Sequence, residues 1–260
     1  MQILKNFVTV DWRAGKDKIF FFFKDSNTYS RFDIGDDRVP DGYPAPIRHS
    51  NWHDFHAYAK KVRFGFTTTS LAEEDIFSAD QDFLWLFYID GITPMVCKYN
   101  QDTDKVISTR PVIDTVWHPI LPYFHRIVAG TWWQASDSPI ALFRFLMNNG
   151  NSFYFDWDVS LQRPVNLDFK KDRVPKVTVE PINNSTWPGL EPYKDRIITA
   201  VQNDRTFADS YYYIFLTNNE YITYNIEQNR VEYGPYQVSE QTWPGLIIEE
   251  PDGWEVDNDD

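Results

Sequence analysis

A chain of 260 residues is long enough for one large all-β domain or two small domains, and at this size it needs no covalent staple to be stable. Aromatic residues make up 17% of the chain, which argues against disorder and favours sheets, because flat rings pack well on a pleated surface. The formal net charge of −13 argues against duplex nucleic acid and anionic membranes as partners, since both attract basic surfaces.

The N-terminal residues 1–5 lead directly into an apolar, strand-like segment, without the basic and apolar regions of a signal peptide. The longest apolar run, Ile19–Phe23, is too short to span a bilayer. Cys97 is the only cysteine, so an internal disulfide is excluded, and its place on a predicted strand indicates a buried, inert thiol. These features predict a cytoplasmic protein.

Four of the ten tryptophans share one sequence context and mark a repeat. They lie 65, 70 and 56 residues apart, at Trp52, Trp117, Trp187 and Trp243. Ten residues after each of the first three comes a β-branched residue, directly preceded by a basic residue. Three residues further along the chain comes a very small residue. These small residues are Gly65, Gly130 and Ala200.

A second signature lies in the middle of each copy, where an aromatic residue precedes a base by six positions. The pairs are Phe32 and Arg38, Tyr99 and Lys105, Trp157 and Arg163, and Tyr224 and Arg230. Apolar runs lie upstream of these pairs, and polar turn residues connect the two, which is typical of β-hairpins. Each copy therefore predicts four strands followed by a short helical turn that carries the tryptophan.

A four-stranded unit cannot bury both of its faces alone, so radial stacking of four units is the natural closure. The sequence therefore predicts an all-β fold, a four-bladed β-propeller with four antiparallel strands per blade. We place one propeller at residues 1–248, with blades at about 7–55, 60–120, 125–190 and 195–247. The small residues are explained if four inner strands crowd around one axis.

The two ends of the chain have different predicted roles. Phe7–Trp12 is the expected first inner strand, and we expect it to close the ring by joining the last blade. The segment 249–260 carries seven acids, so we expect a mobile or loosely docked tail with Trp254 as one of its few apolar anchors.

The first and last copies carry a family resemblance. The stretch from Phe21 to Ile47, with Tyr29-Ser30-Arg31-Phe32-Asp33 at its centre, resembles the hemopexin repeat, and Tyr213–Leu246 resembles it nearly as well. The likeness extends over about residues 7–247 and is strongest to single-domain plant-albumin and microbial members. It implies a binding protein. The disulfide that closes the ring in secreted members is absent here.

The resemblance also raises the question of an axial cation, Ca or Na. Family members place Asp early on each inner strand around an axial ion, and the matching positions here are Thr9, Arg63, Val128 and Ile198. Backbone carbonyls could still hold an ion at these positions, but Arg63 in or near the tunnel argues against it.

No familiar catalytic signature is present: the chain lacks a GxSxG elbow, HExxH and a phosphate-binding Gly loop. The leading hypothesis is a non-enzymatic protein that binds a small molecule (a polyamine, a haem-like molecule or a glycan) or a protein at the propeller tunnel or face. One alternative is a secondary-metabolism cyclase or isomerase acting on a small apolar substrate. Further alternatives are a lectin or defence/toxin component, and a plain interaction scaffold.

The candidate ligand-binding residues of the tunnel are Asp11, Arg63, Trp132 and Thr199. An arginine near the axis needs an anionic partner. Either Arg63 forms a salt bridge with Asp11 and plugs the tunnel, or Arg63 binds an anionic ligand in the tunnel. Five histidines in two blade linkers could bind a metal or haem, although surface or linker positions set by the repeat explain them better.

Overall fold

The computed structural model describes residues 4–15, 17–69, 82–134, 138–160, 163–165, 167–168, 174–203 and 210–247. Its strands form consecutive antiparallel sheets, each built from one stretch of the chain. The first two sheets contain β1 (Phe7–Trp12), β2 (Lys18–Phe23), β3 (Thr28–Asp33) and β4 (Ala45–Pro46), and then β5 (Val62–Thr69), β6 (Asp82–Asp90), β7 (Thr93–Asn100) and β8 (Lys105–Pro111).

The last two blades follow the same order. The third sheet contains β9 (Ile127–Gln134), β10 (Ile140–Met147), β11 (Asn151–Asp158) and β12 (Arg163–Pro164), and β15 (Thr178–Pro181) also pairs with β11. The insertion between β12 and β15 contains a small hairpin of β13 (Leu167–Asp168) and β14 (Val174–Pro175). The fourth sheet contains β16 (Ile197–Asn203), β17 (Tyr211–Leu216), β18 (Glu220–Asn225) and β19 (Arg230–Gln237).

Among the described residues, helical structure is confined to short segments in the linkers between strands. These are one α-helical turn, α1 (His49–Trp52), and the 3₁₀ segments His53–Ala57, Ala59–Lys61, Val112–Asp114, His118–Tyr123 and Glu191–Tyr193. None of the helices in the described part of the chain has the length and apolar character that a membrane span requires.

The four inner strands close a ring. Strand β1 contacts β5 on one side and β16 on the other, and β9 contacts β5 and β16. The predicted four-bladed β-propeller with four antiparallel strands per blade is confirmed. Because each sheet is apolar on both faces, the core lies in the four seams between neighbouring blades.

The four marker tryptophans fill these seams, as the repeat predicted. Trp117 is 1% exposed and packs edge-on against Phe66 of the second blade and Phe143 of the third. Each marker also contacts the aromatic residue that the second signature singled out in the following blade. These contacts are Trp52 with Tyr99, Trp117 with Trp157, Trp187 with Tyr224 and Trp243 with Phe32.

Two glycines allow the inner strands to approach closely. A Cβ atom at Gly65 would lie 2.8 Å from Val10 Cγ1 of the first blade, and one at Gly130 would lie 2.8 Å from Phe66 Cδ1 of the second. Side chains cannot occupy those spaces, which confirms the predicted reason for small residues on the inner strands.

Strand β1 contacts the last blade, as expected for ring closure, but it packs against β16 and does not become a strand of that blade's sheet. Strand β1 pairs with β2 along all six of its residues, and the last blade is complete with its own four strands. The first repeat supplies its own hairpin, so β1 is the inner strand of the first blade. The seam between the fourth and first blades, hereafter the closing seam, is held by packing and by single hydrogen bonds. Examples are Leu4 N to Asn219 Oδ1 (2.6 Å) and Val39 N to Pro244 O (2.8 Å).

Truncation of a marker tryptophan should destabilise the whole ring. We expect Trp117→Ala to lower the free energy of unfolding by about 3–5 kcal/mol, because the seam cannot collapse around so large a cavity. Ile92→Ala is the control, since Ile92 is 93% exposed and its truncation should leave stability nearly unchanged. Urea titration of both variants tests the claim, and equal midpoints would contradict it.

Candidate functional site

One end of the propeller axis is occupied by polar side chains from all four blades. Asp11, Thr67, Trp132 and Gln202 lie level with one another near the ends of the inner strands. Thr67 N donates to Asp11 Oδ1 (2.8 Å), and Trp132 Nε1 donates to the Thr67 carbonyl (2.7 Å). Trp132 N also donates to Gln202 Oε1 (3.4 Å). These bonds tie the inner strands together, and we call the four residues the axial ring.

Arg13 closes this end of the axis. Its Nε donates to Asp11 Oδ2 at 3.0 Å, and its guanidinium carbon lies 5.6 Å from the centre of the Trp132 ring. Arg13 therefore reaches from the first blade to the opposite, third blade. The side chains of Arg13 and Asp11 are only 11% and 6% exposed. Sequence reasoning placed Asp11 and Trp132 near the axis, but it missed Arg13, which stands two residues after Asp11 with the charge that Asp11 needs.

Arg63 lies elsewhere, so its expected pairing with Asp11 is wrong. Asp11 is level with Thr67, which stands four residues after Arg63 on β5, and that separates them by roughly 13 Å along the strand. Arg63 Nη2 instead donates to the carbonyl of His125 at 2.7 Å, across the seam between the second and third blades. Burial lowers the pKa of Arg63. Its lateral contact makes it a bond between blades rather than a partner of the axial ring.

The positions matched to an axial cation are not equivalent. The strand register shifts around Arg63, Val128 and Ile198, each of which is an extra residue at the start of its inner strand. Strand β1 has no such shift, so Thr9 is not their counterpart: it is level with Gly65, Gly130 and Ala200.

The residues present do not fit an axial cation bound by carboxylates. Arg63 brings a positive charge, and Val128 and Ile198 have no oxygen in their side chains. The described residues contain no group of three or more His, Cys, Asp and Glu side chains that could hold a metal ion.

Thr199 is buried at the seam between the first and last inner strands. Its Oγ1 lies 3.2 Å from Thr9 Oγ1 and accepts a hydrogen bond from Thr9 N at 3.3 Å. Both threonines are 1% exposed or less. Thr199 therefore helps to close the ring, away from solvent.

The single cysteine and two of the linker histidines have local partners. Cys97 is 1% exposed, and burial raises the pKa of its thiol to about 12, as expected for an inert residue. In the linkers, His56 Nδ1 lies 2.7 Å from the His53 carbonyl and His118 Nδ1 lies 3.0 Å from the Thr115 carbonyl. These contacts stabilise the turns that carry the marker tryptophans.

A cleft of about 270 Å³ opens at the closing seam. Five of its lining residues are tyrosines, and all five lie on strands β17, β18 and β19 of the last blade. We call this site the tyrosine cleft. It is lined by Ile19, Phe32, Ile34, Asp37, Asn203, Tyr211, Tyr213, Tyr221, Thr223, Tyr233, Tyr236, Thr242 and Trp243.

The tyrosine cleft has an aromatic floor and an aromatic rim. Trp243, 3% exposed, lies at its base, with the rings of Tyr213 and Tyr221 at 5.3 and 5.5 Å from the indole. The rings of Tyr233 and Tyr236 stand at the mouth, 52% and 50% exposed. Large aromatic side chains that are half exposed along a concave surface are typical of ligand sites rather than of core packing.

Two polar groups face the cleft. Asn203 is 1% exposed and donates from Nδ2 to Tyr213 Oη at 3.3 Å, while its Oδ1 is buried and has no hydrogen-bond partner in the described structure. Asp37 is the one charged residue in the described lining. Burial raises the pKa of Tyr221, and the neighbouring Tyr213, Tyr236 and Asp37 raise it further. The site therefore combines ring faces with acceptors.

The sequence held a signal for this cleft that the repeat pattern concealed. In the sequence, Tyr211, Tyr213 and Tyr221 stand at ordinary strand positions of the last copy. The corresponding strand of the second blade begins Phe83-Leu84-Trp85, so the last blade carries hydroxyl-bearing rings where the second has none. Such hydroxyls need polar partners, which a purely structural seam would not supply.

The fold and the cleft together define a four-bladed β-propeller with an aromatic cleft at one seam. No family model and no curated protein matches the chain. Among solved structures, it is similar to a chain from the "Crystal structure of BBS1N in complex with ARL6DN, soaked with lead", with 6% identity, 86% of this chain and 52% of that chain covered, and a TM-score of 0.30.

A second solved structure, the "Structure of Dos1 propeller", is 10% identical, with 88% of this chain and 46% of that chain covered and a TM-score of 0.24. The chain thus spans about half the length of both. With TM-scores this low, the fold assignment depends on the strand pairing described above.

The Asp11–Arg13 pair should behave as a buried ion pair. We expect Asp11→Asn to lower the free energy of unfolding by about 3–5 kcal/mol, because it removes a buried carboxylate that accepts hydrogen bonds from both Arg13 Nε and Thr67 N. Adding Arg13→Met to Asp11→Asn should recover part of that loss. Denaturant titrations of the two single variants and the double variant test this, and strictly additive losses would contradict the pairing.

Proposed function

We propose that this protein is a non-enzymatic binding protein that takes its ligand in the tyrosine cleft. The observation that carries the proposal is a concave aromatic site with a buried, unpartnered amide oxygen at Asn203. A buried acceptor without a partner is costly in a folded protein, so a ligand that donates a hydrogen bond there recovers that cost. At one end of the axis, the Arg13 guanidinium lies 5.6 Å from the centre of the Trp132 ring, which favours the cleft over that end as the ligand site.

The composition of the tyrosine cleft supports binding rather than catalysis. Acid–base chemistry needs titratable groups placed together at the reacting centre. The described lining has one carboxylate, Asp37, and it lies exposed at the edge. This supports a binding role over the alternative of a cyclase or isomerase.

The ligand classes inferred from the sequence fit this cleft to different degrees. A small molecule or the side chain of a protein partner can enter a space of about 270 Å³. A glycan is the second candidate, because the half-exposed rings of Tyr233 and Tyr236 can stack on a sugar. We also propose that the chain is a hemopexin-like propeller of the cytoplasm. The order and spacing of the repeat signatures support that family.

A fragment screen by ¹⁹F NMR on protein labelled with 3-fluorotyrosine tests the site. The fragments are monosaccharides, alkylammonium ions and small neutral aromatic molecules, and single Tyr→Phe variants assign the resonances. We expect hits to shift the fluorines of the five cleft tyrosines. Hits that shift only tyrosines outside the cleft, or no shifted resonance at all, would contradict the proposal.

Truncation at the rim should then weaken the best hit. We expect Tyr236→Ala to reduce its affinity by about tenfold, the value of one stacking contact at a desolvated site. Ile107→Ala is the matched control, since Ile107 is 53% exposed on the corresponding outer strand of the second blade. Equal affinities of the two variants would contradict a role for Tyr236.

A further inference from the structure

We propose that the tyrosine cleft receives an alkylammonium group, either of a free amine or of a lysine side chain. This inference rests on the binding role proposed above and names its ligand. It comes from a comparison of the seam that contains the cleft with the corresponding seam of the second blade.

The second and fourth blades match residue by residue on the face that forms the seam. In the second blade, Thr68 pairs with Phe83 and Phe83 with Asn100. In the fourth blade, the same row reads Asn203, Tyr211 and Asn225. The next row reads Phe66, Trp85 and Lys98 in the second blade and Val201, Tyr213 and Thr223 in the fourth.

In the second blade, the ammonium group of Lys98 packs over the aromatic rings of these two rows. Lys98 is 9% exposed, and its Nζ lies 4.2 Å from the centre of the Phe83 ring and 5.3 Å from that of Trp85. An ammonium over two ring faces in a desolvated site is stabilised by cation–π attraction. The second blade is thus an internal example of how this surface binds a primary ammonium on a four-carbon stem.

The fourth blade keeps the aromatic surface and lacks the lysine. Tyr211 and Tyr213 replace Phe83 and Trp85, and the short Thr223 stands where Lys98 would be. The space that the lysine stem would occupy belongs to the cleft, because Tyr211, Tyr213 and Thr223 all line it.

The other seams support the same conclusion. At the seam between the first and second blades, Lys18 Nζ lies 6.0 Å from the Trp12 ring centre, and at the seam between the third and fourth, Arg144 Cζ lies 3.5 Å from that of Trp187. Three seams therefore carry a cation of the protein over an aromatic ring. In the described part of the fourth blade, Thr223 stands at the position of Lys98, so this position supplies no cation to the cleft.

The polar groups of the cleft suit an ammonium donor. Asn203, whose Oδ1 is buried, occupies the row position that Thr68 has in the second blade. Thr68 Oγ1 accepts a hydrogen bond from Trp85 Nε1 at 2.8 Å. An ammonium N–H can donate to this free amide oxygen. Asp37 adds a negative charge at the edge, and the net charge of −13 attracts cations from solution.

Two matched pairs of probes test the charge and its source. Butylammonium is compared with 1-butanol, and the peptide acetyl-Gly-Lys-Gly-amide with the same peptide acetylated on Nε. Fluorotyrosine shifts in the intact protein give the affinities. We expect the charged member of a pair to bind about tenfold more tightly than the neutral one. The tighter of the two charged probes indicates whether a free amine or a lysine side chain is the natural occupant.

Variants at Thr223 separate charge from occupancy. Thr223→Lys should supply the ammonium from within, abolish binding of butylammonium and raise the melting temperature. Thr223→Met is its neutral counterpart of similar length, and it should block binding without the same rise in melting temperature. Equal melting temperatures for the two variants would overturn the role of charge.

The remaining outcomes distinguish this inference from the proposed function. Equal affinity for the charged and neutral probes overturns the ammonium assignment and leaves the cleft as a binding site. Shifts at the cleft tyrosines with sugars or neutral aromatic fragments, but not with ammonium probes, have the same consequence. No shift at the cleft with any probe overturns both proposals.

Discussion

The packing of one indole into each seam is the interaction on which this propeller depends. A single blade is a sheet with two apolar faces, so it is stable only between two neighbours. Trp52, Trp117, Trp187 and Trp243 each bridge their own blade and the next, at 3% exposure or less. Because the ring has no shared strand and no disulfide, these contacts and a few hydrogen bonds must hold the closing seam as well.

This dependence on seams also explains where a ligand site can form. Hydrogen bonds tie Arg13 and Thr67 to Asp11 at one end of the axis, and a Cβ atom at Gly65 or Gly130 would contact the neighbouring inner strand. A seam, in contrast, can lose a filling side chain without losing its indole. The closing seam differs from that of the second blade in this way, since Thr223 stands at the position of Lys98 while Trp243 stays buried.

Much of the fold could be predicted from the sequence because the repeat encodes it locally. The tryptophans, the aromatic–base pairs and the glycines recur at offsets that only stacked blades explain, and each is found in its predicted place. The position of Arg63 could not be predicted, since it depends on a register shift that β1 lacks. The tyrosine cleft also escaped prediction, because a missing side chain at one seam becomes visible only when two blades are compared.

The most direct test of this account is to locate a bound alkylammonium ion by intermolecular NOEs. The account predicts NOEs from the methylene protons of butylammonium to the ring protons of Tyr211, Tyr213 and Tyr221, the rings around the position of Thr223. NOEs to Trp132 at the axial ring instead would place the ligand in the tunnel, and that result would contradict the central claim.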